Sequence, residues 1–289
     1  MKILVTGAKG MLGTDLVPIL KEKNHDVFET DIEELNICKI DKLYEMAKEI
    51  SPDIIVNCAA YTQVDKAEEE VNEAFLINGI GVQNLALVCR DLNIDLCHIS
   101  TDYVFDGEKK GPYSPFDAAN PMNVYGLSKL AGEKFIQWIW NRFYIIRTSW
   151  LYGKNGKNFV YTTLKLAENQ KELRIVDDQT GSPTWTVSLS QIISKLIETK
   201  KHGIYHVTDE TKNGISWYQF AQEIIKLSGY KLKVIPVKSE EFEQPAKRPR
   251  NSVLDLTMTK LVLEEDLPSW KKSLEKFLTE IEFNQKDEK

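Results

Sequence analysis

The first 150 residues alternate between short apolar runs and longer stretches in which apolar positions recur every three or four residues. The runs Ile3–Thr6, Asp26–Thr30, Asp53–Cys58, Asp95–Ser100 and Phe143–Thr148 read as strands, with Leu35–Cys38 as a further candidate. Helical period falls between them, over 11–23, 41–50, 72–92 and 128–141. Strands apolar at consecutive positions, such as Ile54-Ile55-Val56, are expected where a parallel sheet is covered on both faces. The alternation predicts an α/β fold, a Rossmann-like doubly wound parallel sheet with ligands at the carboxyl ends of its strands. A βα-barrel would need about eight evenly spaced units, whereas here the pattern loosens after residue 150.

From there polar, Gly- and Pro-marked loops dominate: 153–158, 177–184, 209–214 and 239–252. Two further strand candidates, Leu173–Val176 and Ile204–Val207, are expected to return to the sheet. The expected organisation is a dinucleotide-binding domain over 1–150 and a smaller, mainly substrate-binding lobe over 151–289, with no clean linker. The Lys- and Glu-rich tail after Phe283 is expected to fray.

Chemistry enters at the end of the first strand. Thr6-Gly7-Ala8-Lys9-Gly10-Met11-Leu12-Gly13 follows it directly and opens the first helix, in a G-x-x-G-x-x-G variant of the dinucleotide fingerprint. Glycines allow a tight turn and close approach to a pyrophosphate, which the free N–H groups of the helix can meet. Asp31 ends the second strand, where a carboxylate either accepts from adenosine ribose hydroxyls, favouring NAD, or caps the local backbone. Lys9 inside the loop would instead attract a 2′-phosphate, so both NADH and NADPH remain open. Asn36 and Ile37, in the apolar segment after Asp31, are counted with the cofactor contacts, as are Ala60, Tyr61 and Thr62 beyond the Asp53–Cys58 strand.

A tyrosine with a lysine four residues on can share one helix face with it, and a nearby cation favours phenolate. Three of the 11 Tyr qualify: Tyr44 with Lys48, Tyr125 with Lys129, and Tyr161 with Lys165. Only Tyr125 follows a strand that ends in a hydroxyl pair, Ser100-Thr101. Such a tyrosine can give or take a proton, the requirement for interconverting a carbonyl and an alcohol.

The glycine loop combined with Thr101, Tyr125 and Lys129 resembles the extended short-chain dehydrogenase/reductase family. Narrower segments are similar to the dTDP-4-dehydrorhamnose reductase family: Ser100-Thr101-Asp102-Tyr103-Val104-Phe105-Asp106-Gly107, Arg147-Thr148-Ser149-Trp150-Leu151-Tyr152-Gly153 and Asp178-Gln179-Thr180-Gly181-Ser182-Pro183-Thr184. Arg248-Pro249-Arg250-Asn251-Ser252-Val253-Leu254 and Leu267-Pro268-Ser269-Trp270 fit the same pattern. The resemblance implies reduction of the 4-keto group of dTDP-4-dehydro-β-L-rhamnose, a dTDP-linked 4-keto-6-deoxysugar, by NADH or NADPH. It also implies roles. Thr101 would hydrogen-bond the substrate carbonyl, Tyr125 would supply the proton, and Lys129 would lower the tyrosine pKa and hold the nicotinamide ribose.

Trp150 would offer the sugar a flat face or else serve as a core residue; Asp102 would bind sugar hydroxyls or form a turn. Arg248 suits the nucleotide diphosphate, since guanidinium grips phosphate as a fork, while Arg250 reads equally as surface charge. Two other readings stand beside this one: a reductase of another nucleotide-linked 4-keto sugar, and a non-catalytic scaffold resembling a regulatory subunit of methionine adenosyltransferase.

Bulk composition narrows the classes. The 289 residues are 42% hydrophobic and 28% charged, as in ordinary globular chains, and the net charge of -6 argues against a nucleic-acid surface. No long apolar stretch suggests a membrane span. The four Cys lie in or beside core segments and the four His show no paired helical spacing, so a reduced cytoplasmic protein without a metal site is expected. Trp138 and Trp140 suit either core or a contact between two copies of the chain.

Overall fold

The computed structural model describes residues 1–242 and 244–287. In chain order the elements are β1 (Lys2–Thr6), α1 (Gly13–Glu22), β2 (Asp26–Thr30), α2 (Ile40–Ile50), β3 (Ile54–Asn57), α3 (Val71–Phe75), α4 (Val82–Leu92), β4 (Asp95–Thr101), α5 (Val124–Ile139) and β5 (Phe143–Thr148). The second half adds β6 (Leu151–Tyr152), α6 (Phe159–Asn169), β7 (Glu172–Val176), β8 (Thr180–Gly181), β9 (Thr184–Trp185), α7 (Thr186–Leu196), β10 (Gly203–His206), β11 (Ile215–Ser216), α8 (Trp217–Ser228), β12 (Lys233–Val237), α9 (Thr257–Leu263) and α10 (Trp270–Asp287).

Six strands form one parallel sheet in the order β10-β5-β4-β3-β1-β2. Its strands bury side chains on both faces. Ile3, Val5, Ile54, Val56, Tyr144 and Ile146 pack towards α1 and α7, while Leu4, Ile55, Leu96 and Ile145 pack towards α2 and α4. This is the burial that consecutive apolar positions imply for a covered parallel sheet. Strand order reverses between β1 and β3, so the crevice at their carboxyl ends is the natural ligand position.

Two expectations need correction. Leu35–Cys38 is not a strand: Asn36 turns the chain with its side-chain oxygen accepting from the Cys38 N–H at 2.9 Å. Of the two late strands, β10 joins the sheet beside β5, but Glu172–Val176 does not; it pairs in parallel with Lys233–Val237 in a separate ribbon. Alternating burial along β7, with Leu173 in and Glu172 and Arg174 out, fits a one-sided ribbon rather than a doubly covered position. The tail continues as helix through Asp287, and Glu288 and Lys289 lie outside the described residues.

The helical period over 72–92 is also interrupted. A π-helical turn at Leu76–Gly81 separates α3 from α4. There Asn78, fully buried, points out of the helix towards the β3–α3 connection. Its side-chain oxygen accepts from the Tyr61 N–H at 2.9 Å, and its amide nitrogen donates to the Tyr61 carbonyl and the Ser128 hydroxyl, both at 3.0 Å.

Candidate active site

A cleft of about 900 Å³ runs along the carboxyl ends of β1, β2, β3 and β4. One end is the loop after β1. Gly7 stands at φ +68°, and a Cβ there would lie 2.6 Å from the Ala59 backbone nitrogen. Gly13 sits so close to Gly7 and Ala8 that a Cβ would meet the Gly7 carbonyl at 2.4 Å. Both positions therefore require glycine, and together they press α1 against the sheet with Gly10, Met11 and Leu12 on the cleft wall. The N-terminus of the ten-residue α1 thereby faces the cleft, a setting that suits a pyrophosphate.

At the outer end, Asp31 does the local capping. Its carboxylate accepts from the Lys9 N–H at 2.9 Å and the Ile32 N–H at 2.8 Å while still lining the cleft. The Lys9 ammonium is held by Glu33 at 2.9 Å and Glu34 at 2.7 Å, so an acidic trio surrounds the one cation of the loop. Asn36, Ile37, Ala60 and Thr62 line the cleft as well. Tyr61 does not. It is buried with its hydroxyl on Glu70 at 2.7 Å, and its backbone is the part that Asn78 clamps.

The inner end holds the hydroxyl, the phenol and the amine. Asn123 caps α5 by accepting from the Gly126 N–H at 2.7 Å, worth about 1 kcal/mol. Gly126 lets the helix touch the Asp102–Val104 turn: a Cβ there would be 2.2 Å from the Tyr103 carbonyl. That contact brings Tyr125 beside Thr101, whose hydroxyl donates to Asp102 Oδ1 at 3.0 Å and accepts from the Tyr103 N–H at 3.2 Å. Tyr125, Lys129, Thr101 and Asp102 all line the same cleft as the glycine loop. Tyr44 and Tyr161 lie outside it, engaged with Asp91 and the Lys154 carbonyl.

The electrostatics differ from expectation. The Lys129 ammonium does not lower the phenol. Burial pushes Tyr125 up to about 12; the neighbouring Thr101 hydroxyl opposes this only partly, and the Asp102 charge adds to the rise. Lys129 donates instead to the Ile99 carbonyl at 2.6 Å and is itself brought down to about 8 by burial, although Glu133 acts the other way. Loss of water costs each charged form more than the charges around it return. A neutral phenol is nevertheless the form that can donate a proton. Asp102 is raised to about 7 by burial, and its Oδ2 has no hydrogen-bond partner among the described residues.

Trp150 lies at the cleft in the left-handed region, φ +48°, a strained backbone for a bulky residue. Its ring stacks on Trp217 with centroids 3.5 Å apart and planes within 8°. Gly181 lies against the same ring, where a Cβ would be 2.5 Å away. Arg248 departs from its expected place. Its guanidinium forks onto Asp65 at 3.0 and 2.8 Å, and it is not among the residues lining the cleft. Sequence reasoning missed Trp217 and Asn78. Only Asn78 left a trace, in the Asn-Gly-Ile-Gly run that interrupts an apolar helical pattern.

Residues 1–283 match the family described as RmlD substrate binding domain. The chain belongs to this family. Among its relatives, the spore coat polysaccharide biosynthesis protein SpsK of Bacillus subtilis is 44% identical over 88% of both chains. A dTDP-4-dehydrorhamnose reductase crystal structure from Clostridium acetobutylicum superposes with a TM-score of 0.94 at 43% identity, covering 98% of this chain and all of that one. The dTDP-4-dehydrorhamnose reductase of Bacillus anthracis, solved in complex with NADP, gives a TM-score of 0.93 at 41% identity over 96% and 99% of the two chains. The family assignment thus spans the sheet, the glycine loop and the inner end of the cleft together. No described helix is long and apolar enough to cross a membrane.

Proposed function

We propose that this protein reduces the 4-keto group of dTDP-4-dehydro-β-L-rhamnose to dTDP-L-rhamnose with NADH or NADPH. One observation carries the reading: Thr101, Tyr125 and Lys129 converge in the cleft that begins at the glycine loop, in a chain 41–43% identical to two dTDP-4-dehydrorhamnose reductases. The cleft suits a dinucleotide, with the amides at the start of α1 for the pyrophosphate and Asp31, Asn36, Ile37, Ala60 and Thr62 along its length. That cofactor would supply the hydride. The chain's own residues handle the oxygen and the proton: Thr101 and Tyr125 donate to the carbonyl oxygen as charge builds there, and Tyr125 gives its proton.

Asp102 and Trp150 form the proposed sugar end, and residues 151–289 are taken as contributing mainly to substrate binding. Arg248 would reach a diphosphate only by leaving Asp65. A binding-only role gives no reason for a buried phenol, amine and hydroxyl to share one cleft. A cytoplasmic setting accords with four free cysteines. A homodimer is supported by exposed Leu127 and Trp138 on α5, with Val71 and Ile80 exposed on the adjoining helical segment.

The test is oxidation of NADH and of NADPH, separately, by the purified protein with freshly generated dTDP-4-dehydrorhamnose. Turnover is expected with at least one, and Tyr125→Phe should keep cofactor binding while losing about 100-fold or more in kcat. Retained turnover in that variant would remove Tyr125 from the reaction.

A further inference from the structure

Behind Lys129 the sheet carries a row of polar side chains that the reaction as described does not use. Thr6, Asn57 and His98 are register neighbours across β1, β3 and β4, and all three are fully buried. Polar groups in such a place persist only when paired, and here the pairing runs in one direction. The Thr6 hydroxyl donates to Asn57 Oδ1 at 2.6 Å, and the Ala59 N–H donates to the same oxygen at 3.2 Å. These two donors identify that atom as the oxygen, which leaves the Asn57 NH₂ to face His98 Nδ1 at 2.9 Å. An amide nitrogen can only donate, so Nδ1 accepts and the imidazole proton resides on Nε2. Nε2 in turn lies 3.4 Å from Lys129 Nζ.

We propose that His98 is a positioning residue for Lys129: Asn57 holds it as the Nε2–H tautomer, and that N–H caps the lysine nitrogen whenever Lys129 has passed its proton towards Tyr125. The proposal rests on Tyr125 as the proton donor, as given above, and adds Lys129 as the group that returns a proton to it. In the proton bookkeeping, Tyr125 gives its proton to the substrate oxygen and the Lys129 ammonium supplies one to the phenolate. The lone pair then left on Lys129 Nζ accepts from His98 Nε2–H, and solvent returns a proton to the amine. His98 keeps its own proton throughout. An imidazole already buried and held well below its usual pKa stays neutral in this role.

The charged and titratable groups facing the pair are few. Glu133, one turn beyond Lys129 on α5, favours the ammonium but is itself neutralised by Arg147 of β5 at 2.6 Å. Cys58, after β3, has its thiol pushed up to about 12 by burial and stays uncharged. Tyr125 on α5 is neutral for the same reason. Among these, the His98 N–H is the neighbour that favours the amine, whereas the Ile99 carbonyl, accepting from Nζ at 2.6 Å, favours the ammonium. As ammonium, Lys129 meets another donor; as amine, it accepts.

The test reads the tautomer directly on the whole protein. A long-range proton–nitrogen spectrum of ¹⁵N-labelled protein, with His98→Gln to assign the signal, should show a neutral Nε2–H ring from about pH 6 to 9. The Nε2 shift should move as Lys129 titrates and stay still in Lys129→Met. An Nδ1–H tautomer, or a ring that protonates near its ordinary pKa, overturns the proposal. In turnover, His98→Leu should lower kcat about tenfold with both KM values within about twofold, and move the alkaline limb to higher pH because the amine has lost its donor. His98→Gln, which keeps an N–H, should recover most of the rate. Equal rates for the two variants, or a change in KM alone, also overturns it. Turnover surviving in Tyr125→Phe would instead sink the underlying reading, and the tautomer result would be unaffected.

Discussion

Glu133 ties the two halves of the reactive end together, and its removal has a calculable cost. The carboxylate is fully buried; it accepts from Ser100 Oγ at 2.5 Å and from Arg147 Nε and Nη2 at 2.9 and 2.6 Å. Arg147 is also buried, and its Nη1 has no partner among the described residues. Glu133→Gln keeps the shape and one acceptor but strands the guanidinium charge. Breaking a buried pair costs about 3–5 kcal/mol, and the retained amide oxygen places this variant near the low end, about 3 kcal/mol. Against a total of about 5–15 kcal/mol this is a large fraction. The midpoint of thermal unfolding should fall by about 6–12 °C, read by circular dichroism at neutral pH. Glu133→Gln with Arg147→Met should recover at least half of the loss, since the charge is then gone. A single-variant loss below about 1 kcal/mol, or a double variant no better than the single, would refute this account. The same substitution withdraws the carboxylate that favours the Lys129 ammonium, so the alkaline limb of kcat should move to lower pH, opposite to His98→Leu.

Three further expectations follow from other places. Gly7→Ala puts a side chain on a left-handed residue and into the Ala59 backbone, so cofactor affinity measured by fluorescence titration should fall about tenfold or more while the protein stays folded. Trp217→Ala removes the stack on Trp150, worth about 0.5–1.5 kcal/mol beyond area, and should raise the sugar-nucleotide KM with cofactor binding unchanged; loss of both equally would indicate a folding defect. Asp209, buried and accepting from the Trp185 N–H at 3.0 Å, is raised to about 7 by burial. A raised acid destabilises the fold as pH climbs from the unfolded value near 4 to the folded one, by up to about 4 kcal/mol. Asp209→Asn should therefore narrow the gap in urea stability between pH 5 and 8, and an unchanged gap would count against the burial of a carboxyl there.

The sequence by itself determined the alternation of strands and helices, the parallel sheet and the position of the glycine loop, because those depend on local periodicity and on short-range turn chemistry. It also singled out Tyr125, since Thr101 and Lys129 stand at spacings that a strand end and one helical turn translate directly into proximity. What it could not supply was anything set by burial or by pairing between distant segments. Glu172–Val176 has the composition of a sheet strand, and only its partner Lys233–Val237 decides that it stays outside. Arg248 looks like a phosphate ligand until Asp65, far away in the chain, takes its fork. Tyr125 and Lys129 are a favourable charge pair on a helix in water; in the folded protein, desolvation reverses the expected shift of the phenol and brings the lysine down to about 8. The row of Thr6, Asn57 and His98 exists only because three strands lie in register, which is a property of the sheet and of no single stretch of chain.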